Sequence, residues 1–246
     1  MRYKITLSFS GAPFRGWQIQ PDAPSVQGVL EDALGKLLGC AIGVTGAGRT
    51  DTGVNAKGYV AHFDAPEVID CEQIRYKLNA ILPVSVVIHS VEKVSDDFHA
   101  RFSATKREYT YFLNRVKDPF VQNYSYWYAY PYLDFDAMNR AAALLPGRRD
   151  FSCFEKTGAD NKTSVCTVYE AEWFKMDEDH WYFKISADRF LRNMVRAIVG
   201  TLLDVGRGKR TPESIAELLE SGKRCDAGES VPGYALFLSG IEYPSL

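Results

Sequence analysis

The first hundred residues alternate between strand-like and helix-like periods, and this order constrains the fold more than any other feature of the sequence. Apolar side chains occupy every second position from Tyr3 to Phe9, which predicts a half-buried strand. They recur at helical spacing from Val26 to Leu37 and from Ile74 to Ile81. Further strands are predicted on both sides of a glycine-rich bend, the second of them at 59–64, and at 84–94. The resulting order, β-α-β-β-α-β, is that of a ferredoxin-like unit.

A second half of the chain begins near Thr105 and mixes strands and helices again. No linker or low-complexity segment separates it from the first, so we divide the chain into residues 1–104 and 105–246. The elements predicted for the second half are strands at 106–116, 163–176, 180–187 and 235–243 and helices at 134–145, 190–204 and 211–219.

The predicted helix at 190–204 carries apolar residues on one side and arginines on the other. The arginines, spaced at i, i+3 and i+7, are Arg189, Arg192 and Arg196. Residues 188–210 hold six basic residues against two acidic ones, in a chain whose net charge is −2. A local excess of cations is typical of a surface that binds a polyanion, although a solvated helix face has the same pattern.

Two stretches combine aromatic side chains with turn-forming backbone. The loop after the first strand contains Phe14 and Trp17 beside Arg15 and Gln18, and residues 124–132 contain six aromatic residues. Both stretches can offer surfaces on which RNA bases stack. Packing of such aromatics into the core or across a sheet is the commoner arrangement and is favoured here, but the sequence leaves the choice open.

Several classes of chemistry are disfavoured by what the sequence lacks. The four histidines are far apart and lack the spacing of metal ligands, and the five cysteines form no CxxC pair. Neither the glycine motifs that cradle nucleotides nor the nucleophile elbow of serine hydrolases occurs. No apolar run approaches the length of a membrane span, and the N-terminal segment lacks a continuous apolar core. We therefore expect a cytoplasmic protein that uses neither a metal nor a cofactor.

The glycine-rich bend at 46–56 presents a single carboxylate, that of Asp51. Glycine lets the backbone turn through positive φ and approach a ligand closely. Asp51-Thr52-Gly53 is also the tripeptide of aspartic proteases, which need two such carboxylates to share a proton, but it occurs here once. Arg49, two residues earlier, would also hold the carboxylate ionised. A protease is therefore disfavoured, and cofactor-free chemistry at Asp51 is favoured.

Seven motifs occur in the order found in the TruA-type tRNA pseudouridine synthases, which the chain resembles over nearly its whole length. They are Gly16-Trp17-Gln18-Ile19-Gln20, Val26-Gln27, Gly48-Arg49-Thr50-Asp51-Thr52-Gly53-Val54-Asn55-Ala56, Asn79-Ala80-Ile81-Leu82-Pro83, Phe98-His99-Ala100-Arg101-Phe102, Arg107-Glu108-Tyr109-Thr110-Tyr111 and Phe190-Leu191-Arg192-Asn193-Met194-Val195-Arg196. The resemblance implies an α+β fold in which two ferredoxin-like halves form one mixed, mainly antiparallel sheet with a central active-site cleft.

The same resemblance implies an activity and roles for particular residues. Uridine would be isomerised to pseudouridine at nucleotides thirty-eight to forty of the tRNA anticodon stem-loop, by a homodimer that needs no cofactor. Asp51 would be the catalytic carboxylate, paired with Arg196, while Arg49 contacts RNA or orients the loop. Tyr109 would stack on the target base. Further contacts with RNA are expected from Arg189, Arg192, Gln18 and Arg101.

The chain departs from the family pattern inside the catalytic loop. The family often has Ala and His where this chain has Thr52 and Asn55, which puts any role for a loop histidine in doubt. The alternative function is a tRNA-binding or chaperone-like module without catalysis. Such a module would keep the cations and aromatics but would not need Asp51, whose presence favours the enzyme.

Overall fold

A computed structural model describes residues 1–158 and 162–244 of the protein. The chain forms two compact units. Unit 1 comprises Met1–Thr105 together with the segment from Phe237 onward, and unit 2 comprises Lys106–Leu236. Each unit contains β-strands and α-helices, so the predicted α+β class is confirmed.

Unit 1 is a sheet with two helices, in the chain order that the sequence predicts. Its elements are β1 (Arg2–Phe9), α1 (Val26–Leu38), β2 (Val44–Gly46), β3 (Asn55–Asp64), α2 (Cys71–Ile81), β4 (Val86–Lys93) and β10 (Leu236–Glu242). The strands lie in the order β4-β1-β3, all antiparallel. On the other edge of β3, β2 pairs with residues 61–63 and β10 pairs in parallel with residues 55–56. The ferredoxin-like order predicted for the first half is therefore confirmed.

The two helices of unit 1 begin where local sequence signals place them. The Ser25 side chain accepts a hydrogen bond from the Gly28 N–H at 3.1 Å, and the Asp70 side chain accepts one from the Gln73 N–H at 3.0 Å. Helix α1 ends at Gly39, whose φ of 71° only glycine adopts at little cost. The buried residues of the helices are Val26, Leu30, Ala33 and Leu34 in α1 and Ile74 and Leu78 in α2.

Unit 2 is also built of β-strands and α-helices. Its elements are β5 (Lys106–Asn114), β6 (Tyr126–Trp127), α3 (Phe135–Ala142), β7 (Gly147–Asp150), β8 (Val165–Lys175), β9 (His180–Ala187), α4 (Met194–Gly206) and α5 (Ser214–Ser221). Strands lie in the order β5-β9-β8-β7 and are antiparallel. The short β6 runs parallel to the end of β5.

Helix α4 differs from the helix predicted at 190–204, because it begins only at Met194. The carboxylate of Asp188 accepts the N–H groups of Thr167 and Arg189 at 2.8 and 2.7 Å, which fixes the turn that follows β9. Asn193 then adopts a left-handed φ of 66°. Arg189 and Arg192 therefore precede the helix. The predicted row of three arginines along one helix face was wrong.

Almost the whole circumference of α4 is buried, and a backbone segment crosses it. A Cβ atom on Gly200 would lie 1.7 Å from the Glu229 carbonyl oxygen, so only glycine allows this crossing. The Thr201 hydroxyl accepts the Gly228 N–H at 2.9 Å and donates to the Ala197 carbonyl at 2.8 Å. Residues 228–232 are thereby held against the first turns of α4, where Arg196 lies.

Candidate active site

The Asp51 loop connects β2 to β3 and is closed at both ends by backbone hydrogen bonds. The Ala47 N–H donates to the Val60 carbonyl at 2.9 Å, and the Val54 N–H donates to the Asp51 carbonyl at 3.1 Å. Gly53 has a φ of 78°, which supplies the left-handed turn just after the carboxylate. Asp51 is half-buried in this loop.

A buried tyrosine of β3 holds the first half of the loop. The Tyr59 hydroxyl donates a short hydrogen bond to the Gly48 carbonyl and lies 3.4 Å from the Gly48 nitrogen, whose N–H points to it. The Tyr59 ring stacks on Trp17, with centroids 4.2 Å apart. A Cβ on Gly46 would meet the Tyr59 oxygen at 2.2 Å and the Trp17 ring at 2.5 Å. The close packing of two aromatic rings under the loop therefore requires glycine at position 46.

The loop that follows β1 supports the Asp51 loop from a second side. The Trp17 N–H donates to the Thr50 carbonyl at 3.3 Å. Gly16 has a φ of 96°, and a Cβ there would lie 2.3 Å from the same carbonyl oxygen. Phe14 and Trp17 are only 4% and 3% exposed. The favoured expectation, that these aromatics pack into the core, is therefore confirmed.

Asn55 has a structural role at the end of the loop. Its Oδ1 atom accepts the Gly11 N–H at 2.9 Å, and both residues are buried. This bond ties the loop to the end of β1, so the asparagine side chain is directed toward the backbone. Next to Asp51, the Thr50 hydroxyl is buried and has no hydrogen-bond partner within the described residues.

The remaining site residues predicted for unit 1 lie at its surface. Arg49 and Gln18 are exposed on the Asp51 loop and on the adjoining loop, respectively. The backbone beside Gln18 is held by Gln27 of α1, whose side-chain oxygen accepts the Ile19 N–H at 3.2 Å. Gln27 also donates to the Val44 carbonyl at 3.1 Å, which links this loop to β2.

Arg101 is exposed in a separate turn of unit 1, which two imidazoles organise. The His62 Nδ1 accepts the Ala100 N–H at 3.1 Å, and the His99 Nδ1 accepts the Arg101 N–H at 3.2 Å. Burial, with Arg2 nearby, lowers the pKa of His62 to about 4, and burial also lowers the pKa of His99. Both rings are therefore neutral at neutral pH, as acceptance of an N–H requires.

In unit 2, Tyr109 lies on β5 opposite Ile185 of β9. Its ring is half-buried and meets the ring of Phe190 edge-on, with centroids 5.1 Å apart and an interplanar angle of 88°. Arg107, two residues earlier on the same strand, donates to the Asp188 carbonyl at 2.7 Å. The tyrosine is thus oriented by the turn that also carries Arg189 and Arg192.

Arg196 is held by the segment that crosses α4. Its Nε donates to the Val231 carbonyl at 2.7 Å, and the Val231 N–H donates back to the Arg196 carbonyl at 3.2 Å. The neighbouring Asn193 donates to the Ser230 hydroxyl at 2.6 Å. Sequence reasoning did not identify Val231 or Ser230. Both residues contact side chains that are distant in sequence, Asn193 and Arg196. The only signal for these contacts in the sequence is the small residues around Gly228, which allow one backbone segment to approach another closely.

The predicted site residues therefore fall into separate groups within the two units. Asp51, Arg49 and Gln18 lie on two loops of unit 1 that are in contact with one another, whereas Arg101 lies on a different turn of that unit. Arg192 is exposed, and Arg189 and Arg196 are half-buried, all in or near the first turn of α4 in unit 2.

Other chemistries find little support in the described residues. Within 1–158 and 162–244, no group of three or more His, Cys, Asp or Glu side chains is placed to hold a metal ion. The five cysteines are free thiols, and burial raises the pKa of Cys153 to about 11 and that of Cys166 to about 12. Neither buried thiol is a nucleophile at neutral pH. None of the helices in this part of the chain is long and apolar enough to cross a membrane.

The chain is similar to known proteins both in part and over nearly its whole length. The profile of a family described as tRNA pseudouridine synthase matches residues 141–244. The tRNA pseudouridine synthase A of Bacteroides thetaiotaomicron is 49% identical over 245 residues, which are 99% of this chain and 91% of that protein. The protein of the same description from Bacillus subtilis is 42% identical over 247 residues, which are 99% of each chain. The chain therefore belongs to the tRNA pseudouridine synthase A family.

Proposed function

We propose that the protein isomerises uridine to pseudouridine in tRNA, at nucleotides thirty-eight to forty of the anticodon stem-loop. The reaction breaks the bond between ribose C1′ and uracil N1 and forms one between C1′ and C5. The hydrogen at C5 leaves as a proton, and N1 gains one. The isomerisation needs no oxidant and no second substrate. One carboxylate that acts on a uridine held in the site can therefore catalyse it.

The observation that carries this proposal is the rigid presentation of Asp51. Its loop is held by the Tyr59 hydroxyl, by the Asn55 side chain and by the backbone of Trp17. A catalytic group has to be kept within a fraction of an ångström of its working position. A loop that only displayed a surface charge would not need three independent supports.

The other roles proposed for site residues follow the motifs named above. Tyr109 stacks on the flipped target base, and Arg49 and Arg196 serve with Asp51 as the catalytic residues. Aromatic stacking holds a flat base without fixing its in-plane orientation, as rotation of the uracil demands. The exposed Arg192 and the half-buried Arg189 contact the RNA backbone, with Gln18 and Arg101 as further contacts. We propose that the enzyme works in the cytoplasm as a homodimer.

Release of tritium from tRNA labelled at uridine C5 tests the activity directly. The wild-type protein should release tritium, and Asp51→Asn, which keeps the side-chain shape, should release none above background while still binding tRNA. Asp97→Asn changes an exposed carboxylate of unit 1 that lies outside the Asp51 loop, and this variant should behave as wild type. Binding of tRNA without release by the wild-type protein would instead favour the non-catalytic tRNA-binding or chaperone-like module.

The stacking role of Tyr109 is tested by separating binding from turnover. Tyr109→Ala should lose most of its kcat, while the Kd for tRNA rises only mildly because distributed phosphate contacts supply most of the affinity. Tyr109→Phe keeps the ring and should retain much of the kcat. A defect of Tyr109→Ala that disappears at saturating tRNA would reject the role.

A further inference from the structure

The aromatic residues at 124–132 fall on two sides of the chain. Tyr126 and Tyr128 are half-buried, with ring centroids 5.6 Å apart, and Tyr126 meets the buried ring of Tyr111 edge-on. The outward residues, which we call the aromatic strip, are Tyr124, Trp127, Tyr130 and Tyr132, with exposed fractions of 45%, 42%, 41% and 66%. The sequence leaves open whether these aromatics pack into the core or form a surface for RNA. The structure shows that some of them are packed and others are exposed. Four large rings are thus exposed within nine residues of the chain, and a local excess of exposed apolar side chains marks an interaction site.

The backbone of the aromatic strip is fixed by an arginine. Arg115 donates from its guanidinium to the Tyr128 carbonyl at 3.2 Å and, by a short hydrogen bond, to the Tyr130 carbonyl. The Tyr128 N–H donates to the Asn114 carbonyl at 2.9 Å, which continues the pairing of β6 with β5. The exposed rings therefore start from a fixed backbone, and binding to them costs little conformational entropy.

Cations lie against two rings of the aromatic strip. The Lys117 ammonium is 4.8 Å from the centroid of the Trp127 ring, and the Arg207 guanidinium carbon is 4.1 Å from that of Tyr130. Neither cation forms an ion pair with a carboxylate of the described residues. The loop at 207–210 contains two further cations, which share a single carboxylate. Lys117 and Arg207 therefore place beside exposed rings two cations that have no carboxylate ion pair within the described residues.

We propose that the aromatic strip is a second RNA-binding surface, on which unpaired bases of the tRNA stack while Lys117 and Arg207 contact neighbouring phosphates. The proposal rests on the proposed function in taking tRNA as the RNA. Rings that alternate with cations are the combination by which proteins bind single-stranded RNA. Charge complementarity selects a polyanion, since an apolar partner would leave both cations desolvated and unpaired. None of these residues belongs to the Asp51 loop or its supports.

The experiment compares binding and turnover in strip variants of the full-length protein. Trp127→Ala combined with Tyr132→Ala removes two stacking surfaces and should raise both the Kd and the KM for unmodified tRNA about ten-fold or more. The kcat at saturating tRNA should stay within two-fold of wild type, because the catalytic loop is untouched. Lys117→Gln combined with Arg207→Gln should weaken binding and reduce the slope of log Kd against log salt by about 1.5.

A matched control uses exposed aromatics elsewhere. Tyr76 and Tyr169 are 72% and 50% exposed on α2 and β8, and Tyr76→Ala with Tyr169→Ala should leave the Kd unchanged. An unchanged Kd in an active strip variant would overturn the proposal. So would a strip variant whose molar mass by light scattering is half that of wild type, because the surface would then join two copies of the chain. If the wild type releases no tritium yet binds tRNA through the strip, the catalytic proposal fails and this one stands.

Discussion

Removal of the Tyr59 hydroxyl from the core of unit 1 tests whether this buried side chain positions the Asp51 loop. Tyr59→Phe keeps the ring that stacks on Trp17 and deletes the group that holds Gly48. Tyr59 is fully buried, so the substitution changes no surface charge or RNA contact. The substitution removes the hydroxyl and the hydrogen bonds that it makes with Gly48.

The size of the effect is worked from the two hydrogen bonds to Gly48 that the substitution removes. The bond to the Gly48 carbonyl is short, and that from the Gly48 N–H is weak at 3.4 Å. A hydrogen bond contributes about 1 kcal/mol net, and Gly48 is only half-buried, so water can replace the hydroxyl in part. The free energy of unfolding should therefore fall by about 1–2 kcal/mol. A displacement of the loop by about 1 Å costs up to about a hundred-fold in rate, so we expect kcat to fall about ten-fold or more.

Tyr3→Phe is the matched control for this substitution. Tyr3 lies on β1 in the same sheet, is 1% exposed, and its hydroxyl accepts the Ile69 N–H at 3.2 Å, away from the Asp51 loop. Urea unfolding should show a comparable loss of stability in both variants. Tritium release at saturating tRNA should show a fall in kcat only for Tyr59→Phe. A kcat within two-fold of wild type for Tyr59→Phe, or an equal fall in both variants, would refute the positioning role.

Three further predictions concern stability. Asn55→Ala leaves the buried Gly11 N–H without an acceptor and should lower the free energy of unfolding by about 2 kcal/mol, measured in urea. Gly200→Ala places a Cβ against the Glu229 carbonyl and should cost about 3 kcal/mol or more. The folded-state pKa of His62, about 4, lies below its ordinary value of 6.5, so the unfolded chain binds more protons between these values. The free energy of unfolding should then fall by up to about 3 kcal/mol as the pH is lowered from 6.5 to 4.

Two of these predictions, those for His62 and Gly200, have an internal comparison. His62→Gln keeps an acceptor for the Ala100 N–H and should flatten the stability curve over that pH range, whereas an unchanged slope would assign the effect to other groups. Gly43 has no atom within 4 Å of an added Cβ, so Gly43→Ala should be nearly neutral. If Gly200→Ala were equally neutral, the segment at 228–232 would not be held against α4 as described.

The parts of the fold that sequence patterns predict are those that depend on neighbours in the chain. The period of β1 and the caps of α1 and α2 each involve residues within a few positions of one another, and all are where the patterns place them. The start of α4 could not be found in this way. The helical spacing of apolar residues extends to positions before Met194, which is why the sequence predicts an earlier start. In the structure, the Asp188 carboxylate accepts the Thr167 N–H, and the residues between Asp188 and Met194 form a turn instead of a helix.

The same distinction applies to the candidate site. Sequence motifs single out Asp51, Arg196 and Tyr109 as residue types with chemistry to perform. They contain no information on what orients these side chains, because Tyr59, Val231 and Phe190 make their contacts through the fold. A tyrosine in a strand or a valine in a loop has many structural uses. Only the folded structure distinguishes the residue that contacts a proposed site residue from the others.

The pairing of β10 with β3 has a consequence for how the protein is made. Asn55 and Ala56, which directly follow the Asp51 loop, pair with Phe237 and Leu238, and all of unit 2 lies between them in sequence. Because a ribosome synthesises the chain from its N-terminus onward, β3 cannot pair with β10 until unit 2 has been synthesised. A nascent chain therefore contains Asp51, the proposed catalytic residue, long before it contains the strand that completes the pairing of β3. Premature termination anywhere before residue 237 would leave Asp51 in the polypeptide without that pairing, so we expect such fragments to be inactive on tRNA.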